Sequence, residues 1–253
     1  MRSRFKLGTF GIFVFLLNNA FAQPVLKPIG ASFVEAPPGR DKNLVPFGFF
    51  GNSQEKVEVH AVLSINGRLL IDLVGSSREQ DVKSSAQFGD KSNVDIGSAE
   101  IASFPKLSAD KKQMLITISV NRLPDKAISA VSFAGKIKVR SAAKLVNKTV
   151  NFEPKPGTKI DFGIGDVTIG KIEGSTISLK GGDGLENIAA LKFISSDGRI
   201  VSAERAGYSR LGSNSEYEWR FTSPLTVGKL EAALYDGLDT VEVPIKLRVA
   251  KPY

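Results

Sequence analysis

The 253-residue chain has no cysteine, and it has one histidine, His60, and one tryptophan, Trp219. The absence of cysteine excludes a disulfide framework, thiol catalysis and a lipidated cysteine. Together with the single histidine it removes the usual ligand sets for zinc. A Ser-His-Asp triad would have to use His60 with a serine exposed at a sharp turn. The nearest such turn, "GYSRLG", has Leu211 where the nucleophile-elbow pattern requires glycine, so Ser209 reads as a turn residue. Calcium needs only oxygen ligands, but Asp183 with Glu186, Asp161 with Asp166, and Asp236 with Asp239 do not follow the alternating acidic pattern of a calcium loop. Asp-Gly pairs of this kind make tight turns without metal. The glycine-rich "GIGDVTIG" lacks the Lys-Ser/Thr pair of a phosphate loop and opens no helix. The sequence therefore predicts no catalytic residue, no metal, no cofactor and no enzyme activity.

Long hydrophobic runs are also missing. The apolar run at residues 10–17 is much shorter than the roughly 18–20 residues a membrane-spanning helix needs. It follows Arg2, Arg4 and Lys6 and precedes Ala20-Phe21-Ala22. That order predicts a signal peptide over residues 1–22, cleaved after Ala22, and a secreted or periplasmic mature chain with no membrane span. Removing the three cations lowers a formal net charge of +8. The remaining Lys and Arg are dispersed along strand-like segments, which argues against nucleic acid as a partner. Asn147-Lys148-Thr149 is a formal glycosylation acceptor, relevant only in a eukaryotic secretory route.

What the sequence does have is period-two alternation, and no helical stripe is sustained beyond about two turns. In "KVEVHAVLSI" the residues Val57, Val59, Ala61, Leu63 and Ile65 share a face; Asn66-Gly67 then suits a type I′ turn, predicting a hairpin with "LLIDLVG". Similar alternation marks "QMLITISVN", "GKIKVR" and "TVEVPIKLRVA". Pro244 in the last of these cannot donate to a ladder, so that strand is expected at a sheet edge or to bulge there. The polar residues 75–101 are expected to form a surface loop with one edge strand. In "FEPKPGTK", Pro154, Pro156 and Gly157 suggest a linker. The expected architecture is all-β: two tandem antiparallel β-sandwich domains of immunoglobulin-like type, over residues 23–155 and 156–253, after the cleaved signal. Gly135-Lys136-Ile137 with Lys148-Thr149-Val150, and Gly228-Lys229-Leu230 with Asp239-Thr240-Val241, form a short parallel between the halves that is compatible with duplication.

All four tyrosines and Trp219 lie after residue 156. In "EYEWRF", alternation places Tyr217, Trp219 and Phe221 on one face, which reads as core, and leaves the turn region near Tyr208 as a contact surface. The candidate binding residues are Tyr208, Arg210, Asn214 and Tyr235. The chain is expected to bind a protein or a surface polymer without catalysis. A carbohydrate-binding module built on the C-terminal aromatics, and a secreted hydrolase, are the alternatives.

Overall fold

A computed structural model describes residues 23–34, 56–75, 80–121, 123–124, 127–211 and 214–251; the predicted signal peptide and Tyr253 lie outside them. The strands are β1 (Pro24–Val34), β2 (Lys56–Ile65), β3 (Leu69–Leu73), β4 (Asp81–Phe88), β5 (Asn93–Ser98), β6 (Glu100–Ile101), β7 (Lys106–Leu107), β8 (Gln113–Val120) and β9 (Ile128–Ala142). They continue as β10 (Lys144–Phe152), β11 (Lys159–Ile160), β12 (Val167–Glu173), β13 (Thr176–Gly181), β14 (Ile188–Ser195), β15 (Ile200–Leu211), β16 (Asn214–Phe221), β17 (Gly228–Asp236) and β18 (Asp239–Ala250). A 3-10 turn (Asp183–Asn187) precedes β14. The protein is all-β, every ladder is antiparallel, and no α-helix occurs among the described residues.

One core is enclosed by two sheets of order β1-β2-β8-β6 and β18-β9-β4-β5, with β7 added to β8 and β3 to β9. Alternation explains it: Val57, Val59, Ala61 and Leu63 of β2 and Met114, Ile116 and Ile118 of β8 point inward from one sheet, while Phe133, Ile137 and Val139 of β9 answer from the other. The Asn66-Gly67 turn forms, with Gly67 at a φ of 69° and the Arg68 amide donating to the Ile65 carbonyl at 3.1 Å. It is not a hairpin, however. β2 ladders with β1 and β8, and β3 with β9, so the turn crosses from one sheet to the other. Ile65 and Leu70 thereby bury themselves in the same core from opposite sides. The expected surface loop at 75–101 is corrected too. β4 is an interior strand between β9 and β5, facing inward with Val82, Ser84 and Ala86. The buried Ser84 hydroxyl donates to the Gly97 carbonyl at 2.8 Å, which lets a polar side chain sit there without loss. Residues 76–79 of that segment lie outside the described residues.

The second core is wrapped by an eight-stranded sheet of order β10-β17-β14-β15-β16-β13-β12-β11. The strand β15 turns the corner: its residues 200–202 pair with β14 and its residues 203–211 with β16. The sheets do not divide the chain at the "FEPKPGTK" segment, which lies between β10 and β11 inside the second unit. β18 returns to β9, and its Val243, Ile245 and Leu247 belong to the first core. It does lie at the edge of its sheet, with Pro244 exposed.

The two units are joined by a single ribbon. β9 runs into β10 and β17 into β18, so that Ser141↔Asp239 and Lys144↔Asp236 flank a junction of only Ala142 and Ala143 facing Gly237 and Leu238. The register is the same on both sides. The two sequence fragments that suggested duplication are the two strands of this ribbon.

Candidate functional site

The β15–β16 hairpin follows the alternation rule on one strand and breaks it on the other. On β16, Ser215, Tyr217, Trp219 and Phe221 are buried, whereas Glu218 and Arg220 are exposed. On β15, a bulge at Ala206 separates Arg205↔Trp219 from Gly207↔Glu218 and Tyr208↔Tyr217. The extra residue shifts the facing pattern, so Arg205, Tyr208 and Arg210 all stand opposite the inward residues of β16. The Arg205 guanidinium lies 4.5 Å from the Tyr217 ring centroid and 5.1 Å from that of Trp219, and its Nη2 donates to the Ile188 carbonyl at 2.8 Å. Tyr208 packs its ring 4.7 Å from Tyr217 and remains 51% exposed. Burial raises the Tyr217 phenol above its ordinary pKa, with Glu186 adding to the effect.

From this strip a chain of charges crosses to the first unit. Arg210 meets Asp183 at 3.0 Å and Glu186 at 3.7 Å; Arg140 on β9 donates from Nη1 to the same Glu186 at 2.6 Å. Arg140 also grips Asp72 of β3 with two bonds, Nε to Oδ1 at 3.1 Å and Nη2 to Oδ2 at 2.8 Å. Burial lifts the Asp72 carboxyl above the usual carboxylate range, outweighing the pull of Arg140 in the other direction. Arg140 itself loses most to burial, but Asp72 and Glu186 together hold its pKa above the ordinary value. Two further side chains lock the junction: Lys111 Nζ donates to the Tyr235 hydroxyl at 2.5 Å, and Arg68 donates to the Gly237 carbonyl at 2.8 Å and the Ser141 hydroxyl at 2.7 Å.

Of the residues nominated from sequence, Tyr208 and Arg210 are brought together on this strip. Asn214 belongs to a cleft on the other side of the hairpin, and Tyr235 is buried at the junction against Lys111. Arg205, Arg140 and Asp72 complete the cluster without having been nominated, together with Glu186, considered from sequence only as a calcium ligand. Arg205 was in principle detectable, since Ala206-Gly207 interrupts an otherwise regular strand as a bulge would. Of the four C-terminal rings that could form an aromatic platform, Tyr217, Trp219 and Tyr235 are buried, and only Tyr208 is open.

The cleft has a volume of about 850 Å³. Its floor is a row of polar side chains in register across four adjacent strands: Thr168 pairs with Lys180, Lys180 with Glu216 and Glu216 with Ser209. Asp166 and Asp183 stand on the loops that form its wall. These loops touch through glycine: a Cβ at Gly184 would lie 1.8 Å from the Ile164 carbonyl oxygen, and one at Gly181 2.7 Å from that of Asp166. Lys180 Nζ is 3.7 Å from Glu216, and Gly170 leaves room for both side chains to lie across its strand.

His60 sits on the outer face of β2, with Nδ1 3.1 Å from the Thr117 hydroxyl and Nε2 3.2 Å from Glu58, which is itself paired with Lys56. Its hydroxyl neighbour is a threonine of β8, in the middle of a paired sheet. Among the described residues no cluster of three or more His, Asp and Glu is arranged to hold a metal ion. No family model, curated protein or solved structure matches the chain.

Proposed function

We propose that this is an exported, non-enzymatic protein of two β-sandwich-like units that acts by binding a protein partner in or on the cell envelope. Export rests on the sequence of residues 1–22, and the absence of catalysis on the poverty in histidine and cysteine. The observation that carries the binding mode is the state of the sheet edges. β1 contains Pro24 and Pro28 with a register shift beside the latter, and β18 contains Pro244 followed by exposed Lys246 and Arg248. β5 is short and its ladder with β4 is irregular; β6, β7 and β11 have two residues each. Prolines, bulges, charges and shortness are the usual ways of blocking strand addition. Of these devices the edge strand β10 has only the charges of Lys144 and Lys148: its nine residues lack proline and keep unbroken register with β17.

Strand addition is opposed at β18 by Pro244 and the basic side chains and falls to β10. The edge carries Lys144 and Lys148 and no acidic residue. Pairing two copies through β10 would oppose like charges, so the partner is an extended acidic segment of another protein. A photo-crosslinking residue placed at Asn147 in the native host tests this. The expected result is one discrete adduct that is lost in Lys148→Glu and does not form from the exposed Ile200. A ladder of adducts unaffected by Lys148→Glu, or no adduct, would refute it.

A further inference from the structure

The cleft behind the β15–β16 hairpin is chemically distinct from the β10 edge. Its floor supplies a hydroxyl, an ammonium, a carboxylate and a second hydroxyl from Thr168, Lys180, Glu216 and Ser209, at the inter-strand spacing of about 4.8 Å and so over about 14 Å. Asn214 adds an amide at one end. Among the described residues Ile164 is the sole large apolar residue in the lining. A lining of this kind has little to offer an apolar ligand, whose binding rests on buried hydrocarbon. Asp166, Asp183 and Glu216 each have a cation within 4.0 Å, in Lys159, Arg210 and Lys180, so the acidic groups of the lining are already matched and the cleft offers phosphates, uronates, nucleic acid or a polycation no net attraction. What is left is a ligand that both donates and accepts many hydrogen bonds along a line and carries no charge of its own.

We infer that this cleft is a binding site for an uncharged, polyhydroxylated saccharide chain, laid across β12, β13, β16 and β15 with its hydroxyl groups bonded to Thr168, Lys180, Glu216 and Ser209. The glycine contacts between the two wall loops hold those loops in place before the ligand arrives, because backbone packed on backbone leaves little room to move. Preorganisation of that sort reduces the ordering cost of binding. The site does not use the aromatic rings of the C-terminal half, which are mostly occupied in the core.

The test is affinity electrophoresis and calorimetry of the full chain against soluble neutral glucan, xylan, mannan and galactan, with polygalacturonate, chitosan oligomers and spermine as charged comparisons. Saturable binding to at least one neutral polysaccharide is expected, with affinity reduced at least tenfold in Ser209→Trp and in Thr168→Trp. These variants fill opposite ends of the floor from exposed or half-exposed positions, and unchanged circular dichroism confirms that they fold. Tyr208→Ala, on the other face of the hairpin, and Lys148→Glu, on the β10 edge, should leave the affinity unchanged. No neutral polysaccharide bound, binding that survives both tryptophan substitutions, or binding confined to spermine and chitosan would each overturn the assignment. The last would make the cleft a cation trap.

Discussion

Replacing Arg140 by methionine removes the guanidinium but keeps most of the aliphatic stem. Arg140 is 23% exposed and makes three short charge-assisted bonds, two to Asp72 and one to Glu186. Exposed ion pairs contribute about 0.2–1 kcal/mol, whereas stripping one partner from a buried pair costs about 3–5 kcal/mol. Arg140 lies between these cases, because Asp72 is 44% exposed and Glu186 keeps Arg210 at 3.7 Å. A loss of about 2 kcal/mol is expected by urea denaturation, with the slope unchanged. A double-mutant cycle with Glu186→Gln should assign about 1 kcal/mol of it to the contact between units. The effect also depends on pH. Asp72 has a folded-state pKa raised above its ordinary 3.8, so the folded protein holds more protons in that window, and stability falls as pH rises through it. Without Arg140 two influences that lower this pKa disappear, and the window extends upward. The penalty of Arg140→Met should therefore grow as pH rises above the ordinary carboxylate range and then level off. A penalty below about 0.5 kcal/mol, or one independent of pH, would refute the clamp.

Gly135→Ala places a Cβ 1.9 Å from the Asp81 carbonyl oxygen and 2.8 Å from the Val82 Cα, at a φ of 152°. Backbone cannot yield as a side-chain tip can, so a loss of about 3 kcal/mol or more is expected, seen as a fall in Tm of about 6–12 °C by circular dichroism. In the β14–β15 turn, the Ser195 hydroxyl and the Arg199 amide both donate to Asp197, which lowers its pKa. Its contribution is present above the unfolded-state value and is lost as pH falls through the lowered folded-state one, so an NMR titration read at Gly198 should show a midpoint below 3.8, and Asp197→Asn should abolish it. A midpoint at or above that value would contradict the hydrogen-bond assignment.

Strands whose inward positions are large and apolar were legible in the sequence. β8, β16 and β18 announce themselves through Met114 to Val120, Tyr217 to Phe221 and Val243 to Leu247. β4 does not, because Ser84 and Ala86 occupy inward positions and Ser84 is compatible with burial only through its bond to Gly97, on a strand not yet paired at the level of sequence. The Asn66-Gly67 turn was readable, but its destination was not. A tight turn specifies local backbone angles, whereas the choice between folding back on β2 and crossing to β9 is made by where Leu70 finds its core. The charge cluster illustrates the same limit. Arg140, Asp72 and Glu186 lie far apart in sequence, and nothing local marks them as partners. For Tyr208 and Arg210 the residue type and turn position were enough to nominate them, but their common face with Arg205 depends on one inserted residue.

The path of the chain makes the two cores unequal in what they require. The second is drawn from one continuous segment, Phe152 to Leu234. The first needs β18 to return to β9 from beyond that segment. If the second unit were unfolded, that return would close a loop of roughly 100 residues at a cost of about 4 kcal/mol. With it folded, the ends are already together, since the Ala143 amide donates to the Asp236 carbonyl at 2.9 Å and to that of Gly237 at 3.2 Å. The second unit thus stabilises the first largely by holding its loop closed, and the first should survive any other closure that preserves the register. Residues 144–236 expressed alone should fold and keep Trp219 shielded from acrylamide. A chain in which an Asn-Gly turn replaces them should retain a cooperative first unit, because Ala143 and Gly237 already face each other at hairpin distance. Failure of that shortened chain to fold while the excised segment does would mean that the contacts of Arg140 with Glu186 and of Lys111 with Tyr235, and not loop closure, are what the first core takes from the second.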